Sequence, residues 1–246
     1  MWRGVGDEQA QRVPDAARLT TIELVDAWPE IQAFVPSADL PLARRTLLAP
    51  VIAAHDEDLF EVLGTRARGA LGFLVVEGVV LKVTTFAGRA AVEVLGPGDL
   101  LAAPLSAARQ LESPAVSRYL AHGTASLAVL DDRFRGAARR WPGLFDCLHD
   151  CLGRQTHRAS RHLAILHLPR VEDRIVALFA ELAERFGRMT RDGIILDLAL
   201  THQLIGDLVA SRRPTVSLAL QTLAAEGILE RLDDGRWHLG AGAVPP

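Results

Sequence analysis

The stretch from 201 to 239, THQLIGDLVASRRPTVSLALQTLAAEGILERLDDGRWHL, constrains this chain more than any other. Thr201 is placed to cap a helix whose apolar face is Leu204, Ile205, Leu208 and Val209. Ala210, Ser211 and Arg212 fit a three-residue turn. A second helix starts near Arg213, with Pro214 in its first turn, where a missing N–H costs nothing. Val216, Leu220 and Leu223 give that helix an inward stripe, and Gly227 is placed to end it. Two short strands follow, Ile228 to Leu232 and Arg236 to Leu239, joined by the turn residues Asp233, Asp234 and Gly235. This order predicts a winged helix-turn-helix, a unit whose second helix enters the major groove of DNA.

The charge pattern agrees. No acidic residue lies between Asp207 and Glu226, while Arg212 and Arg213 stand at the start of the second helix, where phosphates and base edges are met. The outward face is predicted to be Arg213, Pro214, Ser217, Leu218 and Gln221. Arg213, Thr215 and Ser217 are the expected DNA contacts, with Arg212 and Gln221 behind them. The formal net charge is −3, so nucleic-acid affinity has to come from this local patch.

Chain length, 246 residues, allows two domains with separate cores. The two cysteines, Cys147 and Cys151, lie one helical turn apart and form no disulfide framework. With no signal pattern and no apolar run of membrane length, the expected location is cytoplasmic, away from membranes. Residues 1 to about 17 read as polar and irregular. A helix is predicted from Ile22 to Trp28, stopped by Pro29, and another from Pro41 through Leu47, Leu48 and Val51. Between Asp58 and Asp131 come short β-type runs with glycine punctuation: FEVLG, GFLVVEG, VVLKVTTF, AAVEVLGPGD and YLAHGTASLAVLD. They predict an antiparallel roll or barrel, a β-sandwich being the bland alternative.

A long helix is expected from Pro142 to His167. Phe145, Leu148, Leu152, Ala159, Leu163 and Leu166 recur along it at heptad-like spacing, which suits a parallel dimer interface. Packing on its own β-domain is the competing use. Pro169 marks a hinge, a helix follows from Val171 to Phe186, and a strand from Ile194 to Leu200 leads into the helix-turn-helix. The expected fold class is α+β. The chain divides into a helical lead-in (1–57), a β-roll of effector-binding type (58–135), a dimerisation helix (136–168) and a DNA-binding domain (169–246).

From about residue 58 to 240 this arrangement resembles the cyclic-AMP receptor protein and fumarate–nitrate regulator superfamily. LTHQLIGDLVASRRPTVSLALQTLAAEGIL is similar to the family's DNA-binding signature, VEDRIVALFAEL to its helix after the hinge, GPGDLL to the turn before its effector cassette, and DDRFRGAARRWPGLFDCL to the entry of its dimer helix. The resemblance implies a homodimeric regulator that binds double-stranded DNA, with RNA polymerase as a further partner and a small-molecule effector.

The departures are specific. Family recognition helices carry Arg, then Glu, then a second Arg one turn later. Here Arg213 matches the first, while Pro214 and Leu218 stand at the other two. Losing those contacts predicts a different half-site. In the cyclic-nucleotide cassette the family has Gly-Glu for ribose and Arg-Ser for phosphate. This chain has Ala102-Ala103 and Ala115-Val116 there, and Ala159-Ser160 where two hydroxyl residues would meet the base. A phosphate without its guanidinium lacks its charge-assisted partner, so cyclic AMP is not the expected ligand unless Arg118 replaces the missing arginine.

Other ligands stay open, and no cofactor is assigned. An anionic or apolar molecule could lie near Arg154, Arg158 and Ser160. Cys147 and Cys151, four thiols in a dimer, could hold a metal or oxidise, although one chain falls short of an iron–sulfur ligand set and no metal site is assigned. His149, His157, His162 and His167 on the same helix raise haem as a further option. The chain shows no phosphate loop, zinc-protease spacing or nucleophile elbow, so it is not read as an enzyme. A roll that docks protein instead of DNA is the rival outside this class.

Overall fold

A computed structural model of the chain describes residues 20–66, 69–102 and 115–240. The polar N-terminal stretch, Ala103 and much of the cassette fall outside these residues. The fold is α+β, and its first part is an antiparallel roll. Strand β1 (Thr21–Glu23) leads into a single helical turn, α1 (Leu24–Ala27), then a 3-10 helix, Pro29–Phe34, and α2 (Leu40–Thr46). Two expectations are corrected here. Thr21–Glu23 pair with strand β2 (Leu48–His55) instead of joining a helix, and Pro29 opens the 3-10 helix because its missing N–H is harmless in a first turn. The second predicted helix stops at Thr46. Leu48 onward is drawn into β2, where residues 51–55 pair with strand β6 (Ala115–Leu130).

FEVLG is not a strand. Phe60–Arg66 form helix α3, and Leu59 and Leu63, four apart, are both fully buried, which is the spacing of a helix face. GFLVVEG and VVLKVTTF are one continuous strand, β3 (Gly72–Phe86), and not two separated by a turn. Gly78 lies inside it, within the second of two register shifts against β6, with φ +77°. A Cβ there would sit 2.0 Å from the carbonyl oxygen of Thr124, so only glycine fits this bulge. Strands β4 (Arg89–Leu95) and β5 (Leu100–Ala102) also pair with β3, giving the order β1-β2-β6-β3-β4.

Asp131 caps α4 (Asp132–Arg140), its carboxylate accepting from the N–H groups of Arg133 and Phe134. The long helix α5 runs Gly143–Leu166. Its inner side carries Leu144, Cys147 and Cys151 into a core shared with Leu24, Trp28 and Ile31 of the lead-in and Leu74, Ala128 and Leu130 of the roll. Its other side leaves Phe145, Leu152 and Leu163 at 43%, 52% and 60% exposure. Helix α6 (Val171–Phe186) follows, then strands β7 (Gly187–Met189) and β8 (Gly193–Leu196), helices α7 (His202–Leu208) and α8 (Arg213–Ala225), and strands β9 (Leu229–Arg231) and β10 (Trp237–Gly240). The last four strands form one sheet, β7-β8-β10-β9, so the wing is wider than the predicted hairpin. Its β8 ends at Leu196, four residues short of the predicted strand, although Leu198 and Leu200 stay buried. One apolar core joins α6, α7, α8 and β10 to Val79, Leu81, Val92 and Val94 of the roll. Among the described residues no helix is long and apolar enough to cross a membrane.

Candidate nucleic-acid interface and effector cavity

Thr201 begins the C-terminal unit. Its hydroxyl accepts from the N–H of Leu204 at 3.1 Å, the capping predicted for it. After α7 the chain turns through Val209 and Ala210, the latter at φ +51°. The turn closes when Ser211 N–H donates to the carbonyl of Gly206 at 2.8 Å. A Cβ on Gly206 would lie 2.8 Å from the Ser211 oxygen, so a side chain there would push the two helices apart. Arg174 of α6 donates to the Val209 carbonyl at 2.9 Å and ties the turn to the helix beneath.

Helix α8 starts from Arg212, whose extended backbone makes it the N-cap, with Pro214 in the first turn. Val216, Ala219, Leu220 and Leu223 face inward, against Phe179 and Trp237, whose rings meet edge-to-face at 5.1 Å. Gly227 at φ +68° lets the chain leave the helix. Arg212, Arg213, Thr215 and Gln221 are exposed, and neither arginine is in an ion pair among the described residues. Ser217 is only half-exposed, because its hydroxyl lies 2.9 Å from His202 Nδ1 on the first helix. Burial, then the positive charges of Arg231 and Arg213, hold the His202 pKa below the usual histidine value. This end of the domain is therefore a cationic surface with a neutral imidazole inside it.

Two cavities lie where an effector would be sought. The larger, about 430 Å³, sits between the roll and the long helix, walled by Leu95, Leu100, Tyr119, Leu148, Leu152 and Gln155. Lys82 reaches it but is paired with Glu93 at 3.2 Å, and burial raises the Tyr119 pKa, so its phenol stays protonated. The second cavity, about 280 Å³, opens where β4, α5, α6 and α7 meet, and Arg158, His162, Glu181 and Arg185 supply the part of its polar wall that comes from the two long helices.

Of the four residues expected around an effector, Arg158 lines the second cavity, while Arg118, Arg154 and Ser160 line neither. Arg118 pairs with Asp58 on the outside of the roll. The Ser160 hydroxyl donates to the Thr156 carbonyl within its own helix. Arg158 is committed to Asp99, the aspartate of the GPGD turn, which is 3% exposed. Arg185 of α6 binds the same carboxylate and also donates to the Val94 carbonyl at 3.1 Å. Gly96 N–H donates to Asp99 at 2.9 Å. Gln155 pairs with both the N–H and the carbonyl of Leu100, each at 3.1 Å, and the Cys151 thiol donates to the Gly98 carbonyl at 2.7 Å.

The sequence displays the GPGD turn but does not mark its aspartate as the centre of an ion-pair cluster. A signal was present: Cys151, Gln155 and Arg158 follow one another at spacings of four and three, one polar-ended stripe on the inner face of the long helix. Both cysteines are 1% exposed and lie on that inner side, opposite Phe145 and Leu152. Burial pushes the Cys147 thiol up to about 12 and Cys151 to about 11. Among the described residues there is no cluster of three or more histidine, cysteine or acidic side chains arranged to hold a metal.

Known proteins share this architecture. Residues 173–239 match the Crp-like helix-turn-helix domain. The regulatory protein CysR of Synechococcus elongatus is 30% identical over 141 residues, 56% of this chain, which spans 60% of that protein's length. A CooA variant from Carboxydothermus hydrogenoformans shares the fold at TM-score 0.61 and 20% identity, over 90% of this chain and 93% of the other. A cyclic nucleotide-binding domain containing protein from Listeria monocytogenes EGD-e does so at TM-score 0.65 and 14% identity, over 89% and 100%. The chain thus ends in a Crp-like helix-turn-helix domain, and the roll and long helix that precede it share their fold with these solved structures.

Proposed function

We propose that this protein is a sequence-specific regulator of transcription that binds duplex DNA as a homodimer and does not respond to cyclic AMP. One observation carries the proposal: the surfaces such a regulator needs are the ones left without a partner among the described residues. Among the described residues Arg212 and Arg213 are in no ion pair at the start of α8, and Phe145, Leu152 and Leu163 form an exposed apolar stripe along the long helix. Arg212 takes a phosphate, Arg213 a base edge, and Thr215 and Gln221 complete the contact surface, with the half-exposed Ser217, held by His202, at its edge. The division into lead-in, roll, dimer helix and reading domain, cytoplasmic location and contact with RNA polymerase belong to the same reading.

Against cyclic AMP stands the character of the 430 Å³ cavity, mostly apolar and with its one lysine already paired. An anionic phosphate there would find no free cationic partner among the described residues. The thiol alternative is disfavoured by the burial of Cys147 and Cys151 and by their turn away from the apolar stripe.

The test is selection of bound sequences from random duplex DNA, with and without cyclic AMP, alongside sedimentation. The protein should sediment as a dimer and enrich a two-fold-related site with half-sites about 34 Å apart, whether or not the nucleotide is present. Leu152→Asp with Leu163→Asp should give monomers and weaken specific binding by about 10² or more, because the second half-site is then no longer held in place. A doubly substituted protein that stays dimeric would overturn the interface.

A further inference from the structure

Helix α8 advances by about 100° per residue, so its buried residues, Val216, Ala219, Leu220 and Leu223, fix a direction. Pro214, Leu218, Gln221 and Ala225 fall within about 30° of the opposite direction, the line that points away from the protein. At 66% exposure Leu218 is, with Met189 of the wing, one of the two most exposed large apolar side chains among the described residues. The exposed Phe145, Leu152 and Leu163 are accounted for by the dimer stripe. Leu218 has no such account within the chain or its dimer.

We infer that Leu218 reads the C5 methyl group of a thymine, making a methyl contact one of the sequence-specifying interactions of this protein. The inference rests on the DNA-binding reading above and assigns the chemistry at the centre of that interface. Arg212 and Arg213, exposed at the helix N-terminus and in no ion pair among the described residues, set the polarity: this end of the domain faces an anion, and the line through Leu218 faces whatever lies between the phosphates. Pro214 has no N–H to donate, and the Ser217 hydroxyl is engaged by His202. The middle of the outward line is therefore apolar. In the major groove the thymine methyl is the one base-edge group that an aliphatic side chain recognises. Gln221, three residues on, adds an amide of the type that pairs with an adenine edge. The preferred half-site accordingly contains an A·T pair under the middle of the helix, where a guanidinium at position 218 would have specified guanine.

The experiment starts from the half-site enriched by selection and replaces each thymine in turn with deoxyuridine, which removes the methyl and leaves every hydrogen-bonding group in place. Wild-type protein should lose about fourfold in affinity at one thymine per half-site, the weight of a single methyl group taken out of water. Leu218→Ala should bind the unmodified site about as weakly as wild type binds the deoxyuridine site, and should be indifferent to the replacement. Alanine is a good helix former and position 218 is outside the core, so this variant keeps the fold. Leu218→Met should retain part of the sensitivity. Specific binding with no thymine-methyl dependence, or a dependence unchanged in Leu218→Ala, would overturn the inference while leaving DNA binding intact. Failure to enrich any site would overturn the DNA-binding reading itself.

Discussion

Two pairs of arginines occupy opposite environments. Arg158 and Arg185 are folded inward, each about four-fifths buried, and both bind the carboxylate of Asp99. Arg212 and Arg213 stand in water at the head of α8 without an ion pair among the described residues. Similar guanidinium chemistry serves two ends. Where the counter-anion is in the chain, the charge fixes how the roll, the long helix and α6 meet. Where the anion has to come from outside, the charge remains available for binding.

The largest expected effect falls on the inward pair. Asp99→Ala leaves two buried guanidinium groups facing each other without their carboxylate, and breaking a buried pair this way costs about 3–5 kcal/mol. Denaturant unfolding should show that loss for Asp99→Ala and less than about 0.5 kcal/mol for Arg212→Ala, since surface substitutions seldom do more. Equal losses would erase the distinction between the two regions.

The outward pair divides again. Arg213→Ala should cost about 1–3 kcal/mol of discrimination at one base position per half-site and leave other positions alone. Arg212→Ala should weaken all duplexes alike and lower the dependence of log affinity on log salt by about 0.9 per lost phosphate contact. Titrations on the selected site and on random DNA at several salt concentrations separate the two. Equal losses on both DNAs for both variants would overturn this division of roles.

The smallest effect concerns the thiols beside the inward pair. With pKa values raised to about 12 and about 11, Cys147 and Cys151 are essentially all protonated at pH 8. The thiolate is the reactive form, so the folded protein should leave both unmodified by iodoacetamide on a timescale that labels the unfolded chain fully. Rapid labelling of the native protein would reopen a redox role.

The same contrast explains what could be read from the sequence. The helix-turn-helix was legible to within a residue at Thr201, Arg213 and Gly227, because caps, turn residues and helical stripes are local signals. FEVLG was misread since five residues hold too little periodicity to separate a strand from a turn of helix. The extent of β3 was hidden because Gly78 looks like a turn until β6 lies beside it. Arg212 and Arg213 could be placed at the head of α8 from the sequence because that placement needs no second segment. Asp99 is harder to find: its partners lie 59 and 86 residues away, and the one trace of them is the stripe of Cys151, Gln155 and Arg158 on the long helix.

The GPGD turn is riveted on two sides. Cys151, Gln155 and Arg158 hold it to the long helix, and Arg185 holds it to α6, while Leu95 and Leu100 at its ends wall the 430 Å³ cavity. A segment of six residues anchored in this way has almost no slack. Anything that shifts Leu100 must stretch the bonds at Gln155 and Asp99 or carry both helices along. The wall of the cavity and α6, which holds the turn after α7 through Arg174, are therefore joined by one unbroken chain of polar contacts.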